Sequence, residues 1–165
     1  MLRVFLIDDH AGYRAALRSL LDQHDDIEVV AQVSHGNDAL DQFRICARVE
    51  HADASLLVLL EPRGKEMDGI ETAQRLLVIS PVTAIMALSD DDEPALVAAM
   101  QKAGCRGYAL KSDSPPELVR GIRQVAAGRE WLSPPLRSNW MPSTEAHVAQ
   151  PERHTQCMAK SMAIW

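Results

Sequence analysis

The sequence predicts a doubly wound α/β fold, with five parallel strands and helices on both faces, for which 2-1-3-4-5 is one strand order. Three observations carry this reading. Leu56-Leu57-Val58-Leu59-Leu60 is a continuous apolar run, too short for a membrane span and suited to a strand buried on both faces. Five such runs alternate with helical patterns, and strand–helix units in succession argue for a parallel sheet. Four runs also end on polar chemistry, at Asp8-Asp9, Glu61, Ser89 and Lys111. Open α/β sheets bind ligands at these carboxyl ends of strands.

Each element follows from local pattern. Val4–Ile7 is the first run, and behind its acids Tyr13, Ala16, Leu17, Leu20 and Leu21 form a helical stripe. Asp25-Asp26 breaks that helix, and Ile27–Val33 reads as the second strand. Ser34-His35-Gly36-Asn37 is turn chemistry before a helix carrying Ala39, Leu40, Phe43 and Ala47. After the third strand the chain turns through Pro62-Arg63-Gly64. Ile70, Ala73, Leu76 and Leu77 then mark a helix closed before Pro81. Ala84–Leu88 is the fourth strand. Asp90-Asp91-Asp92-Glu93 precedes a helix through Leu96, Val97, Met100 and Ala103, where acids suit the amino terminus and Gly104 the stop. Gly107–Leu110 is the fifth strand, and Pro115-Pro116 opens a last helix that Gly128 ends. The order 2-1-3-4-5 sets the ends of strands one and three side by side, so Asp8, Asp9 and Glu61 converge. Ser89 and Lys111 border the same crevice.

Composition narrows the function. The chain has 165 residues, 47% of them hydrophobic, which excludes general disorder. Its formal net charge is −6, and residues 1–130 carry 14 Lys+Arg against 21 Asp+Glu, a poor surface for nucleic acid. Cys46, Cys105 and Cys157 have no paired or metal-type spacing and read as reduced thiols. The first apolar run halts too early for a signal peptide, and no other could span a bilayer, so a cytoplasmic protein is expected. His10 is expected to cap or line the loop after strand one. His35 and His51 have no partners at metal-like spacing.

Asp8-Asp9-His10, Met67-Asp68-Gly69, Ser89 and Gly107-Tyr108-Ala109-Leu110-Lys111 occur in order within about residues 2–134. Together they resemble the receiver domain of two-component response regulators. The fold this implies is flavodoxin-like (CheY-like). Asp8-Asp9-His10 and Gly128-Arg129-Glu130-Trp131-Leu132-Ser133-Pro134 are most similar to the NarL/FixJ-type subfamily, whose members usually carry a helix-turn-helix domain behind a linker. In the family a magnesium ion sits between the acid pair and an aspartate that accepts a phosphoryl group from a histidine kinase. The resemblance implies Asp8, Asp9, the acid at position 61 and the Arg63 carbonyl as metal ligands. It implies Ser89 as the switch hydroxyl, Tyr108 as the switch aromatic and Lys111 as the phosphoryl-binding lysine. Magnesium chemistry agrees, since it takes carboxylate, carbonyl and water oxygens.

The departure lies at the acceptor, which is Glu61 where the family has aspartate. One extra methylene moves the carboxylate by roughly 1–1.5 Å, and an error of about 1 Å can cost on the order of 10²-fold. The same length lets it reach into the phosphoryl volume, with a charge of −1 against about −1.5 to −2 for a phosphoryl group. Lys65 replaces a common proline, and Asp90 follows the switch serine where small or apolar residues are usual.

The domain organisation expected is a receiver at 1–130 and an irregular tail at 131–165, disordered or a truncated remnant of a linker or output domain. Trp140, Met158, Met162 and Trp165 belong to no amphipathic face, and 31 residues after Pro134 are too few for a helix-turn-helix module. The function expected is an atypical receiver that acts by phosphorylation-independent protein recognition through its fourth helix, fifth strand and fifth helix. Magnesium would bind weakly. The expected partners are a histidine kinase or another regulator and a second copy in a homodimer, not DNA or a membrane. Two rivals are a phosphorelay receiver that still accepts phosphate, on Glu61 or on Asp68, and a truncated DNA-binding regulator. A magnesium-dependent hydrolase would need a second acid where Arg63 stands.

Overall fold

The computed structural model describes residues 1–34, 36–48, 55–64 and 68–139. Its elements run β1 (Leu2–Ile7), α1 (Ala11–Leu21), β2 (Ile27–Val33), α2 (Gly36–Arg48), β3 (Ser55–Leu60), α3 (Gly69–Ile79), β4 (Ala84–Ser89), α4 (Pro94–Lys102), β5 (Gly107–Leu110), α5 (Pro115–Ala126) and β6 (Trp131–Leu132). A 3₁₀ turn, Pro134–Asn139, follows. All strands are parallel, in the order β2-β1-β3-β4-β5-β6. The 2-1-3-4-5 order is thus present, with a sixth strand added at the β5 edge. No helix among the described residues is long and apolar enough to cross a membrane.

Alternate side chains of the central strands feed two cores. Phe5, Ile7, Val58, Leu60, Ile85, Ala87 and Tyr108 face one layer with Ala39, Phe43, Leu76, Val97 and Met100 of α2, α3 and α4. Val4, Leu6, Leu57, Leu59, Met86 and Leu88 face the other, with Leu17 and Leu21 of α1 and Leu118, Ile122 and Val125 of α5. A strand buried on both faces has no polar side to write, hence the unbroken apolar runs. Ala16, placed by periodicity on the α1 stripe, faces solvent instead.

The sheet continues past residue 130, where the sequence reading places the start of an irregular tail. Trp131 N donates to the Arg106 carbonyl at 3.0 Å and Ser133 N to the Tyr108 carbonyl at 3.0 Å, which satisfies the open edge of β5. Trp131 packs into the α1/α5 core and Leu132 into the other, as alternation requires. Leu136, in the 3₁₀ turn, is only 2% exposed and joins the core beneath α4. Two residues are too few for a readable period, so this strand had no signature beyond its family-like phrase. The face of α4, β5 and α5, expected to meet partners, therefore has its strand edge covered by the chain itself. Residues 140–165, with Trp140, Cys157, Met158, Met162 and Trp165, lie outside the described residues, as do His35, His51, Lys65 and Met67.

Candidate functional site

The parallel register brings the polar strand ends together. Ile7 pairs with Leu60, Leu60 with Ala87, and Ser89 with Leu110. The next residues therefore project from one edge of the sheet. Glu61 N donates to the Ile7 carbonyl at 2.8 Å, and Lys111 N to the Ser89 carbonyl at 2.8 Å. Gly69 explains the Met67-Asp68-Gly69 signature, because a Cβ there would lie 2.5 Å from Pro62 Cα. Only glycine lets α3 seat against the loop that follows Glu61. Asp68 caps α3, its carboxylate accepting from Ile70 N at 2.7 Å.

At the centre stands the Lys111 ammonium, 2.7 Å from Asp8 Oδ2 and 2.8 Å from Glu61 Oε2. The three side chains are 7%, 8% and 10% exposed, so this is a buried triad. Burial alone would lower the Lys111 pKa, but the hydrogen bonds to Asp8 and Glu61 outweigh it and hold the amine above its ordinary range. The Tyr13 ring lies 4.7 Å from Lys111 Nζ, a cation–π contact that backs the amine. The other oxygens are engaged too. Asp8 Oδ1 accepts from His10 N at 2.7 Å, and Glu61 Oε1 from Arg63 N at 3.0 Å. Ser89 Oγ reaches Glu61 Oε1 at 3.4 Å, a long and weak bond.

The remaining expected residues take distinct places. Asp9 and Arg63 border a cleft of about 500 Å³ shared with Glu61, Ser89 and Lys111. Asp90, Asp91 and Asp92 also line it, so its mouth is acidic. Asp68, weighed as a second acceptor, does not line it. Tyr108 is fully buried and turned inward, its hydroxyl donating to the Asp91 carbonyl at 2.7 Å. Burial, the largest cause, pushes its pKa up to about 12. His10 caps α1, its Nδ1 accepting from Tyr13 N at 3.1 Å. Cys105 is a small buried core residue whose thiol burial pushes up to about 12.

Sequence reasoning missed two groups. Asp91 passes there as one acid of a helix start, yet its N–H donates to Ser89 Oγ at 3.1 Å while its carbonyl holds Tyr108. Asp113 accepts from Leu110 N at 3.2 Å and from the Ser133 hydroxyl, tying the loop of Lys111 to the segment after α5. Asp91 reaches Ser89 and Tyr108 through backbone groups, which carry no residue-type signal, and Asp113 acts through a turn carboxylate whose distant partner only the tertiary structure supplies.

The structure thus presents a doubly wound parallel sheet with acids, a hydroxyl and a lysine gathered at its carboxyl edge, the class of an α/β domain with a polar site at its strand ends. The comparisons give the class its family. The model of the response regulator receiver domain matches residues 4–123, and the chain belongs to that family. It is 31% identical to the transcriptional regulatory protein UhpA of Salmonella typhimurium, over 99% of this chain and 79% of UhpA. It is 31% identical to the response regulator UvrY of Escherichia coli O157:H7, over 81% of this chain. The match spans 58% of UvrY. Among solved structures, a LuxR-family two-component response regulator from Aurantimonas superposes with a TM-score of 0.75 at 26% identity, over 83% of this chain and 93% of that one. The chain is thus a receiver domain of a two-component response regulator, a signalling domain rather than an enzyme.

Receiver domains typically bind magnesium. The oxygen donors here suit that ion chemically. In the arrangement seen here Asp8 and Glu61 each accept one backbone N–H and share the Lys111 ammonium seated between them, so an ion would compete with Lys111 for their oxygens. Among the described residues no three His, Cys, Asp or Glu come together as a metal cluster.

Proposed function

We propose that this receiver acts without phosphorylation of an aspartate, as a protein-recognition module whose switch is pre-set by Glu61. One observation carries the reading. The Glu61 carboxylate already contacts Lys111 and Ser89, the lysine and hydroxyl that in the family engage the phosphoryl group. Inward Tyr108 supports it, because the family's aromatic moves with that hydroxyl. The acidic mouth also disfavours an incoming phosphoryl donor, with Asp90 among its lining residues. A histidine kinase is the partner class that the family implies. For this chain we put another regulator or a second copy in that place, and we assign no DNA-binding role to it alone. Magnesium binds weakly under this reading, since it must displace Lys111. The exposed parts of the α4–β5–α5 face remain the proposed recognition surface, bounded by β6.

Incubation with a small acyl-phosphate donor and magnesium, followed by mass spectrometry, tests the proposal. The native chain should stay unlabelled. Glu61→Asp should gain acyl phosphorylation, in part only, because Asp90 and Lys65 remain. A phosphoryl group on native Glu61 or Asp68 at useful stoichiometry would overturn the reading in favour of a phosphorelay receiver.

A further inference from the structure

The loop after β4 is fastened to the loop after β3 by one side chain. The Arg63 guanidinium meets Asp91 Oδ2 at 3.0 Å and Glu93 Oε2 at 2.7 Å. Its backbone N–H holds Glu61. Asp91 holds Ser89 through its own N–H, and Ser89 reaches back to Glu61. The contacts close a ring, Glu61–Arg63–Asp91–Ser89, with Tyr108 suspended from the Asp91 carbonyl. Asp91 Oδ1 also accepts from Glu93 N at 2.9 Å, so the loop is braced from within.

We infer that Arg63 and Asp91 are positioning residues of the switch: their ion pair holds the β4–α4 loop over the acceptor loop and so keeps Tyr108 turned into the core. The inference rests on the reading of the site as a pre-set switch. Its physical link is the phenol. Tyr108 is fully buried, and a buried hydroxyl without a partner is costly. When the loop departs, the Asp91 carbonyl goes with it, the phenol keeps only its interaction with the Ser89 hydroxyl, and turning out to water becomes the competing way to satisfy it. The magnitude is modest. Arg63, Asp91 and Glu93 are 57%, 31% and 54% exposed, and an exposed ion pair biases a two-state equilibrium by roughly 1.5- to 5-fold. The pair is therefore a bias that salt weakens, not a rigid lock.

The test uses the full chain labelled with fluorotyrosine. The chain has two tyrosines, so fluorine NMR gives two signals, and Tyr108→Phe assigns them. Arg63→Gln, Asp91→Asn and the double variant are compared with native at low and high salt. The amide oxygen introduced by Asp91→Asn would still accept from Glu93 N, so the loop's internal brace survives. We expect the water-exposed population of Tyr108 to rise roughly 1.5- to 5-fold in each single variant, less in Asp91→Asn, which leaves the Arg63–Glu93 pair, and little beyond Arg63→Gln in the double. High salt should move native in the same direction, and Arg63→Lys should retain most of the native ratio. A Tyr108 signal unchanged in both single variants, or effects that simply add, would overturn the inference. Acyl-phosphate labelling of the same samples separates the two ideas. Labelled native protein with Tyr108 released in the variants sinks the pre-set reading alone. Unlabelled native protein with an unmoved Tyr108 sinks the positioning role alone.

Discussion

Lys111 is the residue on which the site balances. It sits between two carboxylates that would otherwise face each other in a buried place, and removing one partner of such a pair costs about 3–5 kcal/mol. Lys111→Met should lower stability by about that much in denaturant melts. Magnesium should then raise the melting temperature of the variant, since the acids are freed to bind it, while moving native little. The pH dependence has a definite sign. A lysine whose folded pKa is raised contributes stability that is full below its unfolded pKa of about 10.4 and is lost as pH rises through the folded value. Tyr108, raised to about 12, titrates in the same direction. The Lys111 share is therefore the difference between native and Lys111→Met, and alkaline titrations that superpose would remove it.

At the scale of the element, β6 and the turn after it matter more than their length suggests. Leu136 anchors the turn beneath α4, and Trp131 lies against α5 so closely that a Cβ on Gly121 would fall 2.5 Å from its Nε1. Arg120 and Arg137 hold their guanidinium carbons 5.6 and 5.9 Å from the indole centroid. Leu136→Ala should cost about 2–5 kcal/mol, the range for emptying a buried leucine site, measured by calorimetry. A loss within surface-mutation scatter, about 0.5 kcal/mol, would mean that the turn is not part of the core. The helices before it follow their sequence signals well. Gly104 and Gly128, at φ 100° and 79°, stop α4 and α5 where the pattern predicts, because side chains with a Cβ rarely adopt that conformation.

For the whole molecule, the placing of the domain end is the testable matter. A chain ending at 139 keeps every described contact of β6 and Leu136, so it should melt as the full chain does. A chain ending at 130 exposes the β5 edge and opens the core beneath α4, so it should melt lower and tend to associate through that edge. Equal melting of the two truncated chains would show that residues 131–139 add nothing to the fold. The acidic balance of residues 1–130 predicts negligible DNA affinity for either truncated chain at physiological salt. Submicromolar binding to a promoter fragment would contradict this.

What the sequence determined by itself is the sheet and the ends of its strands. A parallel strand buried on both faces is written as an unbroken apolar run, and the residue that ends the run is visible as Asp8, Glu61, Ser89 or Lys111. Strand order then placed those ends together, and the family resemblance supplied their roles. Tertiary structure alone decided three things. β6 exists because the open edge of β5 and the space beneath α4 accept it, not because two residues have a strand period. Lys111 points inward because acids on two different strands converge on its amine. Asp91 governs Ser89 and Tyr108 through its backbone N–H and carbonyl, groups that every residue but proline carries alike and that no residue letter can announce.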